Sequence, residues 1–173
     1  MASPRLANAS LMLSVVLWGT LLGGIAYSHL VYFSAYLSAL PDSAVVVRGP
    51  YGLQEAYFWG LIHPLLILSL VLTLAANWRL RGRRRLVLLS FAAYGAVMVV
   101  TAVYFLPELG AFARSPESNV PAADWLARTR RWQHLSWARG ATMYAFFLPL
   151  LFALTKPSRV AQVETTATTP AAV

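Results

Sequence analysis

Apolar positions gather into four long runs along this chain: Ala9 to Leu40, Ala56 to Asn77, Leu86 to Leu106 and Trp137 to Leu154. A helix needs about 20 apolar residues to cross the hydrocarbon core of a bilayer. The second and third runs meet that length. The fourth falls slightly short and borrows from the segment before it. The first is about a third too long, so it tilts or protrudes on one side, until Pro41-Asp42-Ser43 stops it. Its start resembles a signal peptide, with Arg5 ahead of an apolar stretch and Gly24-Ile25-Ala26 beyond. The apolar run continues through Leu30, Val31, Tyr32 and Phe33, which marks a retained helix.

The segments between the runs add two elements. Pro121 followed by Ala122-Ala123-Asp124-Trp125 is a good helix start, with proline in the first turn and an acid near the N-terminus. No breaker follows before Gly140, so one helix is predicted from about Pro121 to Leu154, its first turns outside the membrane. The stretch 157–173 is rich in Thr, Ala, Val and Pro without any period and reads as disordered. The expected fold is therefore all-α: a four-helix transmembrane bundle over residues 1–156, its last helix extended outside the membrane, and a cytoplasmic tail over 157–173.

Composition agrees. The chain of 173 residues is 58% hydrophobic and 12% charged, with a mean hydropathy of +0.59. Soluble domains carry about 25% charge. The net charge of +8 would suggest nucleic acid in a soluble protein, but the cations sit between apolar runs, and no basic stripe interleaves with stacking aromatics. They are better explained by membrane topology and anionic lipid headgroups. Arg79, Arg81, Arg83, Arg84 and Arg85, with Arg5, Lys156 and Arg159, fall on one side. Arg48, Arg114, Arg128, Arg130 and Arg131 fall on the other. The larger group marks the cytoplasmic side, so both termini are expected in the cytoplasm, in a bacterial inner membrane. The absence of cysteine excludes disulfides, thiolate metal sites and covalently attached haem.

Ionisable residues at membrane depth face the bundle interior or mark function. Under this topology His29, His63, His134, Glu55, Glu108 and Arg139 all fall in the outer half, and the inner half holds almost none. Tyr27, Tyr32, Tyr36, Trp125 and Trp132 read as an aromatic belt at the headgroups. Pro64 frees the carbonyl of Gly60 beside His63, offering that ring a partner that would fix its tautomer. His134, Ala138, Ala141 and Ala145, and separately Gly19 and Gly23, form small-residue stripes of the kind that pack membrane helices.

Three chemistries use these groups. His63 acts as a base, Arg139 stabilises an oxyanion, and Tyr104 or Tyr144 donates a hydrogen bond, which together would enolise a lipophilic phenol or ketone. His29 and His63 clamp a haem b. Alternatively, His29, His63, His134, Glu55 and Glu108 supply a single transition metal. No ExxH or HxxxH motif is present, and no serine stands in a nucleophile elbow.

The third run ends Thr101-Ala102-Val103-Tyr104-Phe105-Leu106-Pro107-Glu108, and the last helix opens Trp132-Gln133-His134-Leu135-Ser136-Trp137-Ala138-Arg139. Over residues 10–155 this pattern resembles the small four-helix bacterial membrane proteins grouped with anthrone oxygenases. Glu108 and Ser136 stand near the places where that group carries asparagine. The resemblance implies cofactor-independent oxygenation. Three functions follow from the sequence: an oxidoreductase or oxygenase-like protein acting on a lipophilic small molecule, a haem- or metal-carrying redox subunit, and a structural or assembly subunit of a homo-oligomer or larger membrane complex.

Overall fold

The computed structural model describes residues 3–158. Four long helices account for most of it: α1 (Pro4–Tyr36), α2 (Glu55–Ala76), α3 (Arg81–Ala113) and α4 (Ala122–Leu154). All four are long and apolar enough to cross a membrane, and no strand occurs among the described residues. The chain is a multi-pass membrane protein of the four-helix class. The segment from Arg159 onward, expected as a disordered tail, lies outside the described residues.

α1 packs on α2 and α4, α3 packs on α4, and of the adjacent pairs α2 and α3 touch least. The N-terminus, the α2–α3 turn and the end of α4 share one end of the bundle, called here the terminal end. The other two connections meet at the loop end, where Arg48 and Glu117 form a 2.7 Å ion pair.

Arg83 ties the terminal end together. It is buried, and its Nε and Nη2 donate to the Lys156 carbonyl at 2.9 and 2.7 Å, just past the end of α4. Its Nη1 donates to Asn8 at 2.7 Å and Asn77 at 3.3 Å. Asn77 in turn donates to the carbonyls of Ala7 and Thr73. One guanidinium thus joins all four helices, and it places a cation at the C-terminal end of α4, where the helix dipole favours one. The expectation of an almost uncharged inner half fails here, because Arg83 counts in the sequence as one more loop cation. Two turns further in, Ser14 bonds Ser69 at 3.1 Å and Thr73 at 2.8 Å between α1 and α2.

Three helices have 33 residues, about 50 Å at 1.5 Å per residue, against a hydrocarbon core of about 30 Å. Their overrun builds a second core at the loop end from Tyr32, Phe33, Tyr36, Phe105, Phe112, Trp125 and Trp132. This corrects the aromatic-belt expectation. Tyr32, Tyr36, Trp125 and Trp132 are buried, and Tyr27 alone of the five is exposed. An overrun this long needs an apolar interior of its own, and rings supply most area per residue.

Both α1 and α3 carry one widened turn with π-type bonding, at Ser28–Tyr32 and at Thr101–Phe105. The second corrects another expectation: α3 does not end at Pro107 but runs on to Ala113. The widened turn restarts the helix at Leu106, so Pro107 sits in a first turn, where its missing N–H costs nothing.

The small-residue stripes are also elsewhere. His134, Ala138, Ala141 and Ala145 are exposed, whereas Trp132, Ser136, Gly140 and Met143 form the buried face of α4. A Cβ on Gly140 would stand 3.2 Å from Ile25 of α1, while one on Gly19 or Gly23 would meet nothing within 4 Å.

Candidate functional site

A cavity of about 570 Å³ occupies the loop-end half of the bundle. All four helices line it. α1 gives Ser28, His29, Tyr32 and Tyr36, α2 gives Glu55, Trp59 and His63, α3 gives Val97, Met98 and Thr101, and α4 gives Arg139 and Met143. Both widened turns border it. Such turns reset the helical face locally and recur at functional sites. In α3 the wall passes from Thr101 to Leu106, a step of five residues. That step turns Tyr104 away from the cavity to pack on Phe105 in the loop-end core. Tyr104, expected as a hydrogen-bond donor at the site, therefore does not line it. Tyr144 does not serve either, since its hydroxyl donates to the Leu22 carbonyl at 3.0 Å.

One directed hydrogen-bond chain crosses the cavity wall. His29 Nδ1 lies 2.8 Å from the Ile25 carbonyl, which only accepts, so Nδ1 carries a proton. In the neutral ring Nε2 then accepts, and the partner at 3.0 Å is the Ser136 hydroxyl. The Ser136 oxygen is left to accept from Arg139 Nη2 at 3.2 Å. Arg139 Nη1 donates to the Thr101 hydroxyl at 3.1 Å, and that hydroxyl donates to the Val97 carbonyl at 2.8 Å. The guanidinium also lies 4.3 Å over the Phe105 ring. Residues of α1, α3 and α4 thus hold Arg139 in place.

Arg139 has no carboxylate partner among the described residues. The carboxylates Glu108, Glu55 and Asp124 are each engaged or remote. Glu108 is bound by Arg128 through Nη2 at 2.8 and 3.0 Å, with Arg128 stacked over Trp125 at 4.8 Å. Glu55 accepts from Ser28 at 2.5 Å and from the Trp59 indole at 3.1 Å. Asp124 is exposed at the start of α4. Among the described residues, the fixed neighbours of this positive charge are two hydroxyls and a ring.

His63 stacks on Trp59, and its Nδ1 lies 2.6 Å from the Tyr94 hydroxyl of α3. Tyr94, not the Gly60 carbonyl, is the partner of the ring. The ring borders the cavity, and in the tautomer whose Nδ1 donates to Tyr94 the free lone pair is on Nε2.

The expected metal set is not assembled. Glu55, His29 and His63 share the cavity, but Glu108 is bound to Arg128, and His134 is exposed on α4 outside it. Among the described residues no three His, Asp or Glu lie close enough together to hold a metal ion. The haem pair meets a similar obstacle, since both nitrogens of His29 are engaged by Ile25 and Ser136. Sequence reasoning missed Thr101, Ser136 and Tyr94, three ordinary core residues whose roles depend on which helix they face. Tyr36, expected in the aromatic belt, lines the cavity, and its buried hydroxyl has no partner among the described residues. No protein-family model, curated protein or solved structure matches the chain.

Proposed function

We propose that the cavity binds a lipophilic small molecule with a single oxygen-bearing head, a phenol or an enolisable ketone, and that the protein acts on it as an oxidoreductase of the oxygenase type. The observation that carries this reading is Arg139. An unpaired guanidinium at membrane depth is costly, and an enolate or phenolate oxygen supplies the missing charge inside a largely apolar wall. His63 Nε2 accepts the proton that leaves the carbon or oxygen of the ligand. Dioxygen dissolved in the bilayer is the oxidant: a CH₂ beside the ring system and one O₂ become a C=O and one water. Glu55, fixed by Ser28 and Trp59, sets the polar edge of the cavity. Both termini lie in the cytoplasm of a bacterium in this reading. Arg5, Arg79, Arg81, Arg83, Arg84, Arg85 and Lys156 at the terminal end support that orientation.

The test uses the purified protein in lipid nanodiscs with anthrone as probe. Deuterium exchange at its CH₂ and dioxygen-dependent formation of anthraquinone are expected to exceed the rate in empty nanodiscs. Absence of both, together with absence of binding, overturns the proposal. A Soret band or a stoichiometric metal in the purified protein favours a redox-cofactor subunit instead, and a stoichiometric protein partner favours an assembly subunit.

A further inference from the structure

The cavity is not closed on all sides, and the residues that rim its opening indicate where it leads. Among the residues lining it, Leu53 and Leu106 are 51% and 57% exposed, and Ala56 and Gly60 are exposed as well. Three of these belong to α2 or the turn before it, and Leu106 belongs to α3. They mark the seam between α2 and α3, the adjacent pair of helices that touches least. The surface on either side of the seam is strongly apolar: Tyr57 and Leu61 on α2 and Val103 on α3 are 81%, 64% and 75% exposed. Such a face is unsuited to water and suited to acyl chains. The seam closes toward the terminal end, where His63 and Tyr94 join α2 to α3 at 2.6 Å. At the lip a Cβ on Gly60 would meet nothing within 4 Å.

We infer that the cavity opens sideways into the bilayer between α2 and α3, and that its ligand is a membrane-resident amphiphile whose head lies at Arg139 and whose tail leaves past Gly60 and Leu106. This rests on the proposed reading of the cavity as a lipophilic-ligand site, and it specifies the ligand class. The head must be small and oxygen-bearing. The tail is not limited by the cavity, because it lies in acyl chains beyond the seam. Gly60 is then a specificity-determining position: a large side chain there fills the opening at its lip.

The test compares two ring-fluorinated probes by fluorine NMR in lipid nanodiscs, at equal mole fraction in the bilayer. One is para-ethylphenol, which needs no exit, and the other is para-octadecylphenol, which does. Wild type is expected to bind both within about threefold. Gly60→Trp is expected to keep para-ethylphenol within threefold and to lose para-octadecylphenol by at least tenfold. Gly95→Trp, on α3 and off the cavity, where a Cβ also meets nothing within 4 Å, should bind both as wild type does. Leu106→Trp blocks the opposite lip and repeats the experiment should Gly60→Trp not fold. Equal binding of both probes by the lip variants, or an equal loss of both, overturns the sideways opening. Failure of wild type to bind either probe overturns instead the phenol-binding reading on which it rests.

Discussion

The Ser136 hydroxyl stands between His29 Nε2 at 3.0 Å and Arg139 Nη2 at 3.2 Å. It gives its proton to the first and its lone pair to the second. No other residue type of that size does both, so alanine there leaves a buried imidazole nitrogen without a donor and frees one arm of the guanidinium. Ser136→Ala is expected to lower stability by roughly 1–2 kcal/mol, the cost of one unsatisfied buried polar group. It should also weaken binding of a phenol probe through the loosened Arg139. Unfolding in detergent alongside binding in nanodiscs measures both effects. Unchanged stability would mean that water takes the place of the hydroxyl.

Arg139 invites the opposite expectation. An arginine paired to a carboxylate leaves a lone buried charge when removed, which is strongly destabilising. Here no such partner exists among the described residues, and the two hydroxyls that accept from Arg139 keep other bonds, Thr101 to Val97 and Ser136 to His29. Arg139→Leu is expected to unfold no more easily than wild type while losing phenol binding at least tenfold. Destabilisation by more than about 3 kcal/mol would make Arg139 a structural residue, since that exceeds what one hydrogen bond to a charged group contributes.

The fold was largely legible because bilayer thickness sets a length that apolar runs must match. The long last helix could be read from Pro121 and Asp124. What remained hidden depended on rotation about helix axes. A chain that is apolar all round gives little moment from which to choose a buried face, so Ala138, Ala141 and Ala145 looked like an interface, whereas Ser136, Gly140 and Met143 form it. The widened turn at Thr101–Phe105 shifted the face again and removed Tyr104 from the site. The site itself was half legible: His29, His63, Glu55 and Arg139 do share one cavity. Their partners were not legible, because hydroxyl residues such as Thr101 and Ser136 carry no sequence mark of their role.

Arg83 shows how a topology signal and a structural group can coincide. Its donors reach Lys156, Asn8 and Asn77, so Arg83→Met strands the polar atoms of three helices. Each hydrogen bond to a charged group contributes about 1.5–3 kcal/mol, and loss of the set is expected to lower stability by at least that of one bond. Arg84→Met, whose side chain bonds the exposed Trp78 carbonyl and lies 5.1 Å over the Trp78 ring, should change stability by less than about 1 kcal/mol. Parallel unfolding curves in detergent separate the two. Equal behaviour would show that the knot at the terminal end adds no stability.

Orientation has a direct readout. Reporter fusions after Arg85 and after Lys156 are expected to report the cytoplasm, and a fusion after Arg114 the opposite side. The bundle forces the first two to agree, since Arg83 bonds the Lys156 carbonyl at the same end. An Arg114 fusion reporting the cytoplasm reverses the orientation and places the cavity in the inner leaflet.

His63 is the position at which structure and chemistry separate most cleanly. Its Nδ1 is committed to Tyr94 at 2.6 Å, a bond that also closes the α2–α3 seam toward the terminal end. His63→Gln retains a hydrogen-bonding group of similar reach for Tyr94 but has no titratable nitrogen. A purely structural role predicts a variant that folds, binds and exchanges like wild type, for a membrane hydrogen bond averages only about 0.6 kcal/mol. The proposed base predicts a folded variant that binds a phenol probe within about threefold yet loses most of its deuterium exchange with anthrone, because a missing general base costs about 10²–10⁴ in rate. His63→Phe completes the set: it gives up the Tyr94 bond too, and is expected to lose both the exchange and some stability. If His63→Gln exchanges anthrone at the wild-type rate, the base is not His63, and Glu55 becomes the remaining proton acceptor on the cavity wall.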